Sequence, residues 1–490
     1  MGAQDLRTGN FVNFLVDGAA TFHAMHEAIL TAAGEGHYIY LLGWSLTDDF
    51  MFVPPVPGPA LTIRALFGNA SRRGVQIRAM LWDQFGTKNS AEVGRINAFT
   101  NGAAILDNHT IGRVLGVNIG SHHQKVLVVK GREGLITFCG GVDINPNRVA
   151  VPFVGTSSSG SGSGPASAVI SSSGGSGGGG NPMHDVHCRI VGPAAHDLLD
   201  TFIRRWDAHP NHAAIDRTRG DLRGRREPRP APLSPHPVGS DSTGGNCAVR
   251  VTRTYNPVLP LARGTRAVRD RSIQETLITA IQNAQRFIYM EDQYLVYKEV
   301  ATLLYAALSR IQHLTILIPD SRITDMPRVW EGRLNFITRL KRSPHGHKAR
   351  VFLLSTPPNT TPPIRPGTPP NLGSHTYVHS KTWIFDDELA VIGSANCNRR
   401  GWTHDSEVNA VIFEDQNPAG LTFAQRLRMR LWAEHLNVSP GAVLDGAASV
   451  SLWTAPPPGA RIRPYNPWAG TDSWTKRRIP WGIIDPSGPP

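Results

Sequence analysis

The chain has 490 residues, 40% of them hydrophobic and 18% charged, with a formal net charge of +12. Its length allows two or more domains with cores of their own. Its charge favours an anionic partner, a phospholipid surface or a nucleic acid, without choosing between them. No apolar run approaches the roughly 18 residues needed to span a bilayer, and residues 1–8 carry neither the basic segment nor the apolar core of a secretory signal. Leu6 stands where a myristoylation signal after Gly2 needs Ser or Thr. Cys139, Cys188, Cys247 and Cys397 are widely spaced with no CxxC, so neither a zinc site nor a disulfide framework follows, and a reducing compartment is favoured. The expected location is cytoplasmic, with peripheral contact at a membrane surface.

Taken in chain order, a helical stretch near residues 21–33 precedes a strand at Tyr38-Ile39-Tyr40. A further helix and strand follow, the strand near 75–81, and then a buried strand at 126–129 that leads to the small-residue turn Gly140-Gly141-Val142-Asp143. Residues 155–180 are almost all Ser and Gly and read as a loop near a site mouth or a solvated insertion. Residues 209–245 are rich in Pro and Arg and read as a linker. The pattern then repeats: a helix near 273–284, a strand at Phe287-Ile288-Tyr289, another helix and a strand near 314–318, a buried run at 383–385, and the turn Gly393-Ser394-Ala395-Asn396. Strands alternating with helices, twice over, predict an α/β fold of two similar lobes, mixed sheets flanked by helices, related by a pseudo-twofold with the active site between them. The expected division is a first lobe over 1–208, the linker over 209–245, a second lobe over 246–440 and a Pro- and Trp-rich extension over 441–490.

Each repeat carries one short pattern ahead of its buried strand. The first is His123-Gln124-Lys125, and the second is His379-Ser380-Lys381 followed by Asp386. Side chains alternate faces along a strand, so His and Lys two positions apart point the same way. Imidazole can attack phosphorus and can deliver a proton near neutral pH. Ammonium groups can hold phosphate oxygens as charge develops. One such pair is a weak signal, but two copies with matching downstream turns point to phosphodiester chemistry through a phosphohistidine. If the lobes face each other, one histidine attacks while the other protonates the leaving alcohol, the arrangement an in-line displacement needs.

These residues resemble the phospholipase D superfamily, defined by paired HxKxxxxD motifs, and most closely its phospholipase branch. The likeness runs from Gly43-Trp44 through His122-His123-Gln124-Lys125, Gly140 to Asp143 and His184-Asp185-Val186-His187. It continues through Glu291-Asp292-Gln293-Tyr294, His379-Ser380-Lys381 and Gly393 to Asn396, and reaches Trp432 to Leu436. The resemblance implies that His123 is the nucleophile and His379 the acid, though the two roles are exchangeable by symmetry. Lys125, Lys381 and Asn396 resemble its phosphate-holding groups, and Ser394 and Asp143 are expected to join the substrate-binding set. Glu407 resembles the carboxylate that orients the second histidine, and Asp185 is the candidate for the same task on His123. Asp386 belongs to the catalytic motif, while the first copy has Lys130 at that position. Since this position lies beyond the catalytic strand face, its carboxylate is expected to secure a turn, and the chemistry is expected to survive its loss.

The implied activity is that of a phosphoric diester hydrolase. It would convert glycerophospholipids such as phosphatidylcholine to phosphatidic acid and free alcohol, with transphosphatidylation. The alternatives are a nuclease of the same superfamily or a degenerate lipid- or nucleic-acid-binding module. No cofactor and no metal are implied, and the HxxH pair His184 and His187 is too weak a signal to change that. No extra lipid-targeting module is expected, and one chain suffices as a monomer. The tail, with Trp453, Trp468, Trp474 and Trp481 beside Arg461, Arg463, Lys476, Arg477 and Arg478, suits either a membrane interface or packing over the second lobe.

Overall fold

The computed structural model describes residues 6–49, 62–83, 89–108, 113–114, 117–118, 120–148, 183–219, 246–256, 269–321, 324, 328–356, 375–414 and 420–467. The first half contributes β1 (Arg7–Val16), β2 (Tyr38–Gly43), β3 (Gln76–Trp82), β4 (Gly102–Asp107), β5 (Arg113–Val114), β6 (Val117–Asn118), β7 (Val126–Gly131), β8 (Gly134–Gly140), β9 (Met183–His184) and β10 (Val186–Val191). The second contributes β11 (Cys247–Thr254), β12 (Phe287–Glu291), β13 (His313–Ile318), β14 (Ala349–Leu354), β15 (Tyr377–Val378), β16 (Thr382–Phe385), β17 (Leu389–Gly393), β18 (Glu407–Phe413) and β19 (Ile462–Pro464). Fifteen of these form one sheet, in the order β19-β14-β13-β12-β16-β17-β18-β11-β1-β10-β8-β7-β2-β3-β4.

Apart from β19, that order reads the same from both sides of the β11–β1 pair. Outward from the centre, each half runs through three antiparallel pairings, a fourth antiparallel step onto the strand before the first crossover, and then two parallel pairings. Helices repeat in step: Asp17–Thr31, Ile63–Arg72, Ser90–Asn97 and Pro193–Ala208 in one half, and Ser272–Asn283, Lys298–Ala307, Val329–Lys341 and Phe423–Leu436 in the other. The last helix of each set, Pro193–Ala208 and Phe423–Leu436, packs its buried face into one core shared by both halves, while the other face of each half closes a core of its own. The sequence expectation of two related α/β lobes therefore holds, with their sheets fused edge to edge. β1 and β11, which the sequence reading did not single out, make that seam through Arg7↔Val249 and Asn10↔Cys247.

The loops ahead of the two buried strands also cross the seam. His122 bridges to Ser406, and β15 pairs with β9 through Val378↔His184. Part of the expected linker is helical, at His212–Arg219. The Ser/Gly-rich stretch at 155–180 and most of the Arg-rich segment lie outside the described residues. In the C-terminal stretch, β19 extends the sheet beyond β14, and Trp453 is buried against Trp432 and Tyr289. Arg461 is buried too, bonded to Glu434 at 2.8 Å. Trp468, Trp474, Trp481, Lys476, Arg477 and Arg478 lie outside the described residues. Among the described residues, no helix is long and apolar enough to cross a membrane.

The two central hairpins differ where the motif carboxylate differs. β16 ends at Phe385, and Asp386 and Asp387 follow with φ of 59° and 63°. The N–H of Glu388 donates to Phe385 O at 2.9 Å, which makes a tight turn of the mirror-image type suited to hairpins. The Asp386 carboxylate accepts the backbone N–H groups of Gln285, Arg286 and Phe287 at 2.7–2.8 Å. In the first lobe β7 runs on to Gly131, so Lys130 is still in the strand, opposite Tyr38 and Leu135. There the hairpin ladder continues through Lys130 and Gly131 instead of ending in a carboxylate-held turn. Asp386 is thus a structural tie, as its position beyond the strand face suggested, and its place in the catalytic set is corrected. We expect Asp386→Ala, which strands three N–H groups, to lower the unfolding free energy by roughly 2–4 kcal/mol. A shift of the urea midpoint, with kcat of the folded enzyme within a few-fold of the parent, checks it.

Candidate active site

His123 sits in the loop just before β7. Its backbone N–H donates to Ser406 O at 3.0 Å, and its Nδ1 lies 2.9 and 3.0 Å from the two oxygens of Glu407, the first residue of β18. His379 repeats this at the start of the second hairpin: its N–H donates to His184 O at 2.8 Å, and its Nδ1 lies 2.7 Å from Asp185 Oδ2. Each histidine is therefore oriented by a carboxylate from the opposite lobe. The expected partners are exchanged, since Glu407 serves His123 and Asp185 serves His379. The reason is the fused sheet, which brings the end of one lobe's strand against the other lobe's loop; an argument within a single repeat pairs each histidine with its own half. Gly141 permits the approach, because a Cβ there would collide with Asp185 Oδ1.

The lysines point as the alternation of strand faces requires. Lys125 Nζ donates to His123 O at 3.0 Å and lies 3.3 Å from Asp143 Oδ2. Lys381 Nζ donates to His379 O and, at 3.1 Å, to Gln293 Oε1. Both imidazoles face one cavity of about 300 Å³, which Asn396, Asp143, Arg148 and Arg400 also line. The Asn396 carboxamide oxygen is buried there with no hydrogen-bond partner; with the amide turned, its NH₂ would face the same space.

The remaining expected residues divide. Asp143 lines the cavity, but its Oδ1 accepts from the N–H groups of Trp44 and Ser45, and Oδ2 is spent on Lys125. Ser394 was expected to hold substrate. Instead its hydroxyl donates to Glu407 and its carbonyl lies 3.1 Å from His123 Nδ1, so it positions the Glu407–His123 pair. Sequence reading missed Arg148, Arg400 and Gln293 as members of the site. Gln293 lies two residues past the end of β12, the strand beside the second hairpin, and that placement was the available signal. Arg148 and Arg400 lie in short turns with no pattern of their own.

Burial and a crowd of cations set the proton affinities. His123 falls well below the usual imidazole range, first because it is buried and then because Lys125, Lys381 and Arg400 are near. His379 falls likewise through burial, Lys381, Arg148 and Lys125. Burial and these cations favour the neutral form of both rings, the form a nitrogen nucleophile needs. Burial lifts Asp185 to about 6 against the pull of Lys381 and Arg148. Glu407 is pushed well above the carboxylate range by burial and by Asp405. Burial lowers Lys381 to about 7.

A family model described as Phospholipase D matches residues 30–301, and one described as Cardiolipin synthase, PLD-like domain matches 277–432. The chain belongs to the phospholipase D superfamily. It is 25% identical to Phospholipase D alpha 1 of Carica papaya over 84% of this chain and 63% of that protein. It is 26% identical to Phospholipase D beta 1 of Arabidopsis thaliana over 85% of this chain and 48% of that one. It thus spans less than two thirds of the length of these curated relatives. The crystal structure of phosphatidylserine synthase from Haemophilus influenzae Rd KW20 superimposes with a TM-score of 0.50 at 12% identity, covering 93% of this chain and 87% of that one, which is a likeness of fold.

As a superfamily member with two buried imidazole–carboxylate pairs, the protein should lose turnover when either pair is broken without loss of fold. Asp185→Asn and Glu407→Gln should each lower kcat by roughly 1,000-fold or more, because an amide no longer stabilises the imidazolium. Unchanged thermal unfolding midpoints would show that the loss is chemical. Lys381 generates a second expectation. With an affinity near pH 7, it is partly neutral in the empty site, and an arriving phosphate anion favours its charged form. Binding of inorganic phosphate at about pH 7.5 should therefore take up protons, measured by titration calorimetry in buffers of different ionisation enthalpy, and Lys381→Met should reduce the uptake.

Proposed function

We propose that the protein is a phospholipase D-type enzyme that cleaves the headgroup from glycerophospholipids through a covalent phosphohistidine and passes the phosphatidyl group to water or to another alcohol. The observation that carries this reading is the pair of histidines from opposite lobes on one cavity, each with Nδ1 tied to a carboxylate. With Nδ1 engaged, Nε2 is the reactive nitrogen of each ring. The curated relatives, both named phospholipase D, add support for the substrate class.

The first step forms a bond from His123 Nε2 to phosphorus and breaks the bond from phosphorus to the headgroup oxygen. His379 gives its Nε2 proton to that leaving oxygen. In the second step His379 takes the proton of a water or alcohol whose oxygen attacks phosphorus, and the P–N bond breaks. Phosphatidic acid or the exchanged phospholipid leaves, and His123 is regenerated. Lys125, Lys381 and Asn396 would hold the non-bridging oxygens, where charge develops. The assignment of roles is supported by the partners. Asp185, nearer its ionised form at neutral pH than Glu407, favours a protonated ring on His379, and the phosphodiester charge offsets the cations that keep that ring neutral in the empty site.

Purified protein given phosphatidylcholine vesicles and ethanol should form phosphatidylethanol, and His123→Ala and His379→Ala should each abolish it. Acid-free quenching and mass mapping should place the phosphatidyl adduct on His123. An adduct on His379 would exchange the two roles, and turnover of DNA with none of phospholipid would refute the substrate class.

A further inference from the structure

Directly beneath the His379–Asp185 pair lies a buried chain of charge that the chemistry above does not use. His184 is 1% exposed, and both of its ring nitrogens meet carboxylates: Nδ1 is 2.9 Å from Asp17 Oδ1, and Nε2 is 3.0 Å from Glu291 Oε2. The other oxygen of Glu291 accepts from Tyr289 OH at 2.6 Å and lies 3.0 Å from His435 Nε2. A neutral imidazole has one N–H and one lone pair. Here a lone pair at either nitrogen would face a carboxylate oxygen at hydrogen-bond distance. With both carboxylates ionised, only the doubly protonated ring satisfies both contacts.

We infer that His184 is a permanently charged imidazolium and the positioning residue that keeps Asp185 ionised and His379 aligned. Three further contacts join it to the site. Its carbonyl accepts the backbone N–H of His379 at 2.8 Å. Asp17, which it grips, also accepts the N–H of Asp185 at 3.1 Å and returns its own N–H to Asp185 O at 2.8 Å. Asp17 makes these bonds from a backbone with φ of 66°, a conformation a non-glycine residue adopts only when its surroundings enforce it.

The groups that face His184 come from four elements: Asp17 on the helix Asp17–Thr31, Glu291 on β12, His435 and Glu434 on the helix Phe423–Leu436, and Asp185 beside it in the chain. Burial works against charging the ring, but the fields of Glu291 and Asp17 win and hold its affinity well above the usual range. His435, lowered by burial, is the neutral member. The same ligand atoms of His184, Glu291 and His435 lie within 4.8 Å of one another, close enough for a metal ion. A metal would need His184 to give up a proton that both carboxylates bind, so the two occupants exclude each other. In the other lobe Ser406 stands at the matching position, next to Asp405, which adds to the burial that pushes Glu407 up.

This inference rests on the reading of His379 and Asp185 as a working pair, so the test has one arm that needs no turnover. Histidine-¹⁵N-labelled full-length protein should show one imidazolium with two N–H groups that is unchanged from about pH 5 to about pH 9. That signal should be missing from His184→Gln and should begin to titrate within the same window in Asp17→Asn. In the second arm, the acid limb of kcat/KM on a soluble phosphodiester should move to higher pH by about 1 in His184→Gln, since Asp185 loses its neighbouring cation. Asp17→Asn should move it the same way by less. A His184 that titrates near the ordinary imidazole range, or a stoichiometric transition metal in the purified protein, would overturn the inference. An imidazolium without any movement of the limb would overturn its positioning role. Absence of phospholipid turnover with the imidazolium present would count against the proposed function alone.

Discussion

The backbone N–H of each site histidine donates to the carbonyl that immediately precedes its partner carboxylate, from His123 to Ser406 and from His379 to His184, and both bonds cross the seam between the lobes. A single β-bridge register in each case thus places a main-chain anchor and a side-chain acceptor one residue apart on the opposite lobe. Everything else in the site hangs from this reciprocal clamp. The lysines reach inward because they lie two residues beyond the clamped histidines. The small-residue turns at Gly140–Asp143 and Gly393–Asn396 close over the other side because they end the strands paired with the same hairpins. Neither lobe alone holds an oriented imidazole.

The clamp is symmetric in hydrogen bonds and asymmetric in charge. Asp185 has a cation-bearing neighbour, and Glu407 has the anion Asp405. A duplicated scaffold can therefore present two rings held alike by hydrogen bonds to carboxylates in unlike electrostatic surroundings. An in-line displacement with a covalent intermediate asks for that difference, since one ring must be bare when the other carries a proton. The empty cavity favours both rings neutral because it is crowded with cations; an entering phosphodiester supplies the missing negative charge.

Symmetry also explains where the halves are free to differ. Asp386 and Lys130 occupy matching positions, yet one caps three N–H groups at a tight turn and the other continues a strand. The backbone donors of the neighbouring strand have to be satisfied in either half. In the second lobe a carboxylate does so for three of them, and in the first lobe the hairpin ladder runs on for two more residues.

The amino-acid sequence by itself determined the duplication and the α/β alternation, because period-two and period-3.6 patterning are local and repeat within one chain; it carried His123, Lys125, His379 and Lys381 as candidates through their repeated spacing, and Asn396 through the family resemblance. It also carried Glu407 and Asp185 as candidates, but paired each with the wrong ring. Partner choice across the seam, the demotion of Ser394 to a prop for Glu407, the removal of Asp386 from the site, and the entry of Arg148, Arg400 and Gln293 were decided only by the tertiary structure. So was the charged state of His184, whose carboxylates stand 167 and 107 positions away in sequence. A hydrogen bond depends on distance and direction between atoms, and residues far apart along the chain acquire both only in the folded sheet; for the pairs that cross the seam, that requires β1 and β11 to join two half-sheets into one.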